Sequence, residues 1–367
     1  MANKEGSKYI QKHLLYAFLF IAGNYFLWLG LEKAKGFLAP LLMAAVLALL
    51  MFPFANKLQG WGIKKLLATS FSVLLLLCVS IGLFLVVSFQ VKDFVDDWDE
   101  IKASVKPHVE TLQQYILEHT PLEQGDLENY HPAFGEEEKS DGSKGNEETE
   151  EQGKQALSVV AGVFDFLTDF LITFVYIFFF IHFRSRFKKF ILMLFEDSKQ
   201  GEVRDIISKS TAVVQSYLFG RLILMVVLAV LYATGLSISG VDRVLFVSVI
   251  SAVLSIIPFV GNFIGYGIAM VMGVISGGSA LTLIGVTLTY AVVQFIETYI
   301  LQPIILGGKL DIHPFFIILA VILGNAVWGV TGMILSLPLF AIVTIICCNV
   351  PALKPLGYLF SSDKKGK

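Results

Sequence analysis

LLATSFSVLLLLCVSIGLFLVVSF, residues Leu66–Phe89, runs for 24 positions without one charged side chain. Wound as a helix at ~1.5 Å per residue, it would be about 36 Å long. A bilayer hydrocarbon core of ~30 Å needs less than that. The stretch reads as a membrane span, and the rest of the chain agrees. Of 367 residues, 55% are hydrophobic, 31 are Phe and only 16% are charged, with a mean hydropathy of +0.72. Soluble domains carry about 25% charged residues. A cytosolic two-domain enzyme is therefore excluded as the default, and an integral membrane protein is indicated.

Working outward, two further apolar segments precede this one, Leu14–Leu31 and Phe37–Phe54, separated by Glu32, Lys33 and Lys35. No small-x-small site follows the first, so it does not read as a cleavable signal peptide. After the third span, residues 91–156 hold 18 of the 30 acidic groups and six of the 28 basic ones, a local charge of −12 against +10 elsewhere. That balance argues against nucleic acid as a partner. Within it, Ile101, Val105, Val109, Leu112 and Ile116 give Asp96–Glu118 helical spacing. Gly135–Gly153 has no large apolar residue and is expected to be a surface loop.

The chain re-enters the membrane at Val159–Phe183, with Asp165 and Asp169 on one helical face. Residues 184–217 alternate apolar stripes (Phe187, Phe190, Ile191, Leu194, Phe195; then Val203, Ile206, Ile207, Val213, Val214, Tyr217) with charged faces. They predict one or two amphipathic helices on the membrane surface or packed on the bundle. The later apolar segments are Leu218–Leu236, Leu245–Ile257, Phe259–Ile275, Ser279–Ile305, His313–Val327 and Val330–Cys348. Pro258, Gly261, Gly265, Gly267 and Gly273 punctuate one of them, and His313-Pro314 and Gly329 bound another. Proline and glycine break helices there, the pattern expected of re-entrant half-helices in a transporter. Ordinary spans with misplaced boundaries remain the other reading.

The fold class is therefore all-α: a polytopic integral membrane protein of about eight membrane segments, including re-entrant or broken helices. It divides into a three-span region (1–90), an acidic extracytoplasmic segment (91–158), a fourth span with the amphipathic region (159–217), a C-terminal transport core (218–350) and a tail (351–367). Four basic clusters set its direction: Lys4, Lys8 and Lys12; Lys57, Lys64 and Lys65; Arg184, Arg186, Lys188 and Lys189; Lys354, Lys364, Lys365 and Lys367. All fall on one side if three spans precede the acidic segment. By the positive-inside rule that side is the cytoplasm, with both termini inside and 91–158 outside.

An ionisable group in an apolar segment costs at least ~2.5 kcal/mol and commonly marks a path or site. Glu297 is the leading candidate, with Gln294 one turn earlier; a carboxylate beside an amide can ligate a small cation or hold an exchangeable proton. Its plain alternative is a helix–helix hydrogen bond or a snorkelling surface group. Gln302-Pro303 then interrupts helical continuity and frees carbonyls as ligands. Arg221 either pairs with Glu297, an aspartate or an anionic solute, or anchors the end of its span. Asn262 and Asn325 lie in glycine-rich breaks and can turn amides toward a polar cavity, and Pro258 with Gly261 permits close backbone approach. Asp311 and His313, before Pro314, form a weak metal or proton candidate. Asp165 and Asp169 read best as a cap at an exterior helix end.

Enzyme readings find no His-Glu-x-x-His, Walker or nucleotide-binding glycine motif, and no Gly-x-Ser-x-Gly elbow. Uphill transport would accordingly run on an ion gradient, and no cofactor or resident metal is expected. Cys78, Cys347 and Cys348 lie in apolar runs without metal-ligand spacing.

The second half also carries a family pattern. It runs through Ser216–Arg221 (SYLFGR), Ile257–Gly265 (IPFVGNFIG), Gln294–Glu297 (QFIE) and Leu301–Gly307 (LQPIILG). It continues in Leu310–Pro314 (LDIHP), Gly324, Trp328–Met333 (WGVTGM) and Leu337–Leu339 (LPL). In this order and spacing the chain resembles the AI-2E, or autoinducer-2 exporter-like, family of bacterial membrane permeases. The resemblance implies a homo-oligomeric transport protein of the bacterial inner membrane. Its substrates within the family divide between the furanone autoinducer-2 and Na+ or Li+ exchanged for H+. The glutamate-rich Glu136–Glu151 is longer and more acidic than the family pattern requires.

Overall fold

The computed structural model describes residues 2–96, 147–258, 260–306 and 311–362. Residues 97–118 of the expected Asp96–Glu118 helix, the loop as far as residue 146, and Phe259, Gly307 and Leu310 of the family pattern lie outside the described residues. So does the side chain of Asp165.

Among the described residues all regular structure is helical: α1 (Ala2–Lys33), α2 (Lys35–Gly60), α3 (Lys65–Asp96), α4 (Glu147–Met193), α5 (Gln200–Ile238), α6 (Val244–Leu254), α7 (Val260–Ile275), α8 (Ala280–Ile296), α9 (Pro314–Asn349) and α10 (Lys354–Phe360). Among the described residues, seven helices are long and apolar enough to cross a membrane. The fold is a polytopic all-α membrane fold.

Two expectations need correction. Helix α4 includes Glu147 onward, so the loop expected through Gly153 ends at least seven residues sooner. The amphipathic region is also not a separate element. Its first stripe finishes α4, a 3-10 turn at Asp197–Lys199 follows, and its second stripe runs straight into the next span as the single 39-residue α5. Nothing between Val203 and Gly220 stops the helix. Gly220 continues it at about 1 kcal/mol relative to alanine. It is required there because a Cβ would lie 2.6 Å from Leu306 Cδ2 and 3.2 Å from the Ile305 carbonyl oxygen.

The chain forms two compact units, each discontinuous in sequence: residues 1–73, 168–215 and 310–367 make one, and 74–167 with 216–309 make the other. In the first unit, α2 turns Ala44, Ala48 and Ala55 fully inward and packs with α1 and α9. Helix α9 is not straight. Trp328 (φ −133°, ψ 18°) and Gly329 (φ 61°, ψ −138°) leave helical geometry, and the chain reverses there. Phe316 and Phe340 stack at 5.9 Å, although a continuous helix would hold them about 36 Å apart. At the crossing, Gly324 and Gly332 meet backbone to backbone, so a Cβ on either would overlap the other's carbonyl group. Residues 314–327 and 330–349 are thus the arms of a helical hairpin, broken where the sequence places its break. Trp328 Nε1 donates to the Leu31 carbonyl at 3.0 Å, tying the tip to α1. At the open end Phe360 of α10 packs on Phe316 and Phe340.

The second unit contains a matching hairpin of α6 and α7. A Cβ at Gly261 would overlap the Leu254 carbonyl, and one at Gly265 would lie 2.8 Å from Ser251 Oγ. The Tyr290 hydroxyl of α8 donates to the Gly265 carbonyl at 2.9 Å and accepts from Ser251 Oγ at 2.5 Å, locking α8 across both arms. Around this lock lies the unit's apolar core. Leu224, Leu228, Tyr232 and Leu236 form one four-residue ladder along α5, against Phe246, Val247, Ala269, Met272, Val286 and Val293.

Candidate functional site

At Glu297 helix α8 changes winding: Glu297–Leu306 is π-helical, with Pro303 inside it. A π segment carries one extra residue per hydrogen-bonded turn and occurs mostly at functional positions. Proline's missing N–H leaves one carbonyl of that segment unmatched. The change of winding brings Gln302 back onto Glu297, with Gln302 Nε2 donating to Glu297 Oε1 at 3.2 Å. The other carboxylate oxygen, Oε2, accepts from Asn262 Nδ2 at 3.0 Å.

Asn262 reaches Glu297 because Gly261 lets the start of α7 press onto α6. Its Nδ2 also donates to Gln294 Oε1 at 2.6 Å, and Gln294 Nε2 passes a hydrogen bond to Thr298 Oγ1 at 3.0 Å. Arg221 completes the group from α5, with Nη1 3.7 Å from Glu297 Oε1. Both are buried, Glu297 at 2% and Arg221 at 9% exposure. At 3.7 Å the pair is an ion pair without a hydrogen bond, and Arg221 Nε and Asn262 Oδ1 have no partner among the described residues.

Chemically, this is a carboxylate removed from water, held by two amides and neutralised by one guanidinium that retains a free donor. A cation or proton reaching Glu297 would take over the counter-charge of Arg221. A solute carrying its own acceptor could engage Arg221 and leave Glu297 in place.

Five of the ten expected site residues therefore converge: Glu297, Gln294, Arg221, Asn262 and Gln302. Gly261 supports them by close packing. Pro258 opens the turn before α7, its carbonyl accepting from the Val260 N–H at 2.7 Å. Pro303 is exposed on the π segment. Asp311 and Asn325 belong to the first unit. Asp311 accepts from Ser362 Oγ at 2.6 Å. His313, weighed with Asp311 as a metal or proton candidate, makes capping contacts: its Nδ1 accepts from the Phe315 N–H at the start of α9, and its backbone N–H donates to the Phe360 carbonyl. No group of three or more His, Cys, Asp or Glu side chains that could hold a metal occurs among the described residues. Asn325 is exposed, as is Asp169.

Sequence reasoning missed Ser251, Tyr290, Tyr266, Thr287 and Thr298. Tyr266 Oη lies 3.0 Å from Thr287 Oγ1. The available signal was spacing, since Tyr266 follows Asn262 by four residues and Thr287 precedes Gln294 by seven.

The sequence profile of AI-2E family transporters matches residues 14–351. The chain belongs to the AI-2E transporter family. Several relatives are provisionally named transport proteins. YueF of Bacillus subtilis (strain 168) is 28% identical over 45% of this chain and 44% of its own length. YrrI of the same organism is 33% identical over 35% and 36%. MT0215 of Mycobacterium tuberculosis (strain CDC 1551 / Oshkosh) is 24% identical over 86% and 83%. The match thus spans less than half of the first two relatives and most of the third. This AI-2E member is a multi-pass membrane protein of a transport family, a membership that fits a non-enzymatic role.

Proposed function

We propose that the protein is a secondary transporter for a small polar solute or a monovalent cation, driven by an ion gradient and built around Glu297. The observation that carries this reading is the buried Glu297–Arg221 pair, held by the half-buried amides of Asn262 and Gln302, at a π-helical break beside a helical hairpin. Ionisable groups at such a depth face a path or cavity far more often than lipid, and broken helices are where transporters place their sites. Glu297 exchanges the proton or cation, Gln294 and Asn262 orient it, and Arg221 sets its charge. Replacing Glu297 by Gln in proteoliposomes should abolish sodium-driven proton flux read by an internal pH dye; unchanged flux removes the assigned role.

One observation favours a second reading, passive export of a small neutral metabolite such as autoinducer-2: Arg221 already neutralises Glu297. Flux that follows the solute gradient and ignores an imposed pH gradient would select it. In either case we place the protein in the bacterial inner membrane as a homo-oligomer, both termini cytoplasmic and 91–158 outside, with no nucleic acid partner. Impermeant amine labelling of Lys64 from the same side as residues 91–158 would overturn that orientation.

A further inference from the structure

Helix α8 shows two different faces to its surroundings. Leu281, Ile284, Leu288, Val292 and Phe295 recur at three- and four-residue steps, and all are exposed, Leu281 at 82%. This is a face built for lipid. Thr287, Ala291, Gln294 and Thr298 recur at steps of four, three and four, so they form a second exposed face beside the first. From Thr287 to Thr298 it is about 16 Å long. Helix α7 borders it with Asn262 and Tyr266, one turn apart.

The second face is polar and its hydrogen bonding is incomplete. The Thr287 hydroxyl donates to the Leu283 carbonyl at 2.9 Å, so the 3.0 Å contact with Tyr266 is donated by the tyrosine. Gln294 spends one acceptor on Asn262 and one donor on Thr298, leaving its second N–H without a partner among the described residues. A side-chain amide in that condition is heavily penalised in hydrocarbon and tolerated in water. An independent observation sits at the end of the face. Arg221 is nine-tenths buried with an unpartnered Nε, and the Oδ1 of Asn262 is likewise without a partner among the described residues. No charged side chain lies along the face before that pair.

We infer that the Thr287–Ala291–Gln294–Thr298 face, with Tyr266 and Asn262, is the wetted wall of the solute path. It ends on the Arg221–Glu297 pair and takes small uncharged solutes through hydroxyl and amide hydrogen bonds. The transport reading above supplies only what passes; the wetting stands without it.

The test uses the full chain in sealed vesicles, with Cys78, Cys347 and Cys348 replaced by serine. Single cysteines are placed at Thr287, Ala291 and Thr298, and for comparison at Leu288, Val292 and Phe295. A charged, membrane-impermeant methanethiosulfonate should modify the first set at least ~10-fold faster than the second, because thiolate forms and the reagent partitions only in water. Ala291→Cys is the mildest change and keeps the test valid if the threonine variants fold poorly. A four-carbon polyol in the bath should slow labelling at Thr298→Cys, whereas sodium chloride should not. Equal, slow rates on both faces would overturn the wetted wall. Oxidative cross-linking between copies through Ala291→Cys, with labelling blocked, would make the face a subunit contact. Protection by sodium but not by polyol would overturn the solute class. Lost flux with labelling intact would count against the transport reading alone.

Discussion

The two helical hairpins solve one problem by the same means and put the result to different uses. Both bring two antiparallel helices into backbone contact through small residues: Ser251, Gly261 and Gly265 in α6–α7, and Gly324, Gly332 and Ser336 in α9. Neither carries a charged residue. They differ at their turns and in what they meet. The α9 hairpin reverses on Gly329 at φ 61°, in a region open essentially to glycine, and anchors its tip with Trp328 and its open end with three phenylalanines. The α6–α7 hairpin turns through residues 255–258 and lays Asn262 against a carboxylate. One is closed by apolar and main-chain contacts; the other delivers an amide to a charge. Close approach is thus the shared device, and chemistry is added by a single side chain at one arm's start.

The comparison is broken most severely at the crossings. Gly261→Ala and Gly332→Ala each force a methyl into main-chain atoms that cannot rotate away. Each should cost above ~3 kcal/mol and abolish the monodisperse peak in detergent chromatography. If only one of the two is lost, the crossings are not equivalent. Next comes the charge that only the α6–α7 hairpin meets. Arg221→Met strands Glu297, an effect of about 3 kcal/mol for a buried pair losing one partner. Thermal unfolding should show a clear drop, partly recovered in the Arg221→Gln/Glu297→Gln double variant. A double variant no better than the single one would mean that the pair is not coupled.

Gly329→Ala sharpens the difference in turns. No atom lies within 4 Å of the added methyl, so its cost of ~1–3 kcal/mol would be purely conformational. A melting temperature unchanged by Gly329→Ala would remove the role of the positive φ. The smallest effect is expected at the open end of the α9 hairpin. Ser362→Ala gives up the hydrogen bond to Asp311, worth about 1 kcal/mol, and should lower the melting temperature slightly without changing labelling on α8.

Much of this was legible in the sequence, for local reasons. The α9 break could be placed because Gly329 interrupts an otherwise uncharged apolar run, and Glu297 stood out because little else in its segment ionises. What the sequence withheld was tertiary. The winding change that returns Gln302 to Glu297 depends on a π turn that residue preferences hardly mark. Asn262 reaches Gln294 only across the contact that Gly261 allows. The fusion of the amphipathic stripe with the following span was hidden because each half has its own plausible end, and only packing around Gly220 shows that neither end is used.

Trp328 and Leu31 are separated by 297 positions. At a synthesis rate of about 5–20 residues per second, roughly 15–60 s pass between their emergence from the ribosome. Helix α1 must wait in the bilayer for α9. The unit containing residues 1–73 and 310–367 is therefore finished only after every residue of the other has been translated. Premature termination beyond residue 309 would leave a chain whose ion-pair unit is complete and whose opening helices still lack their final partner.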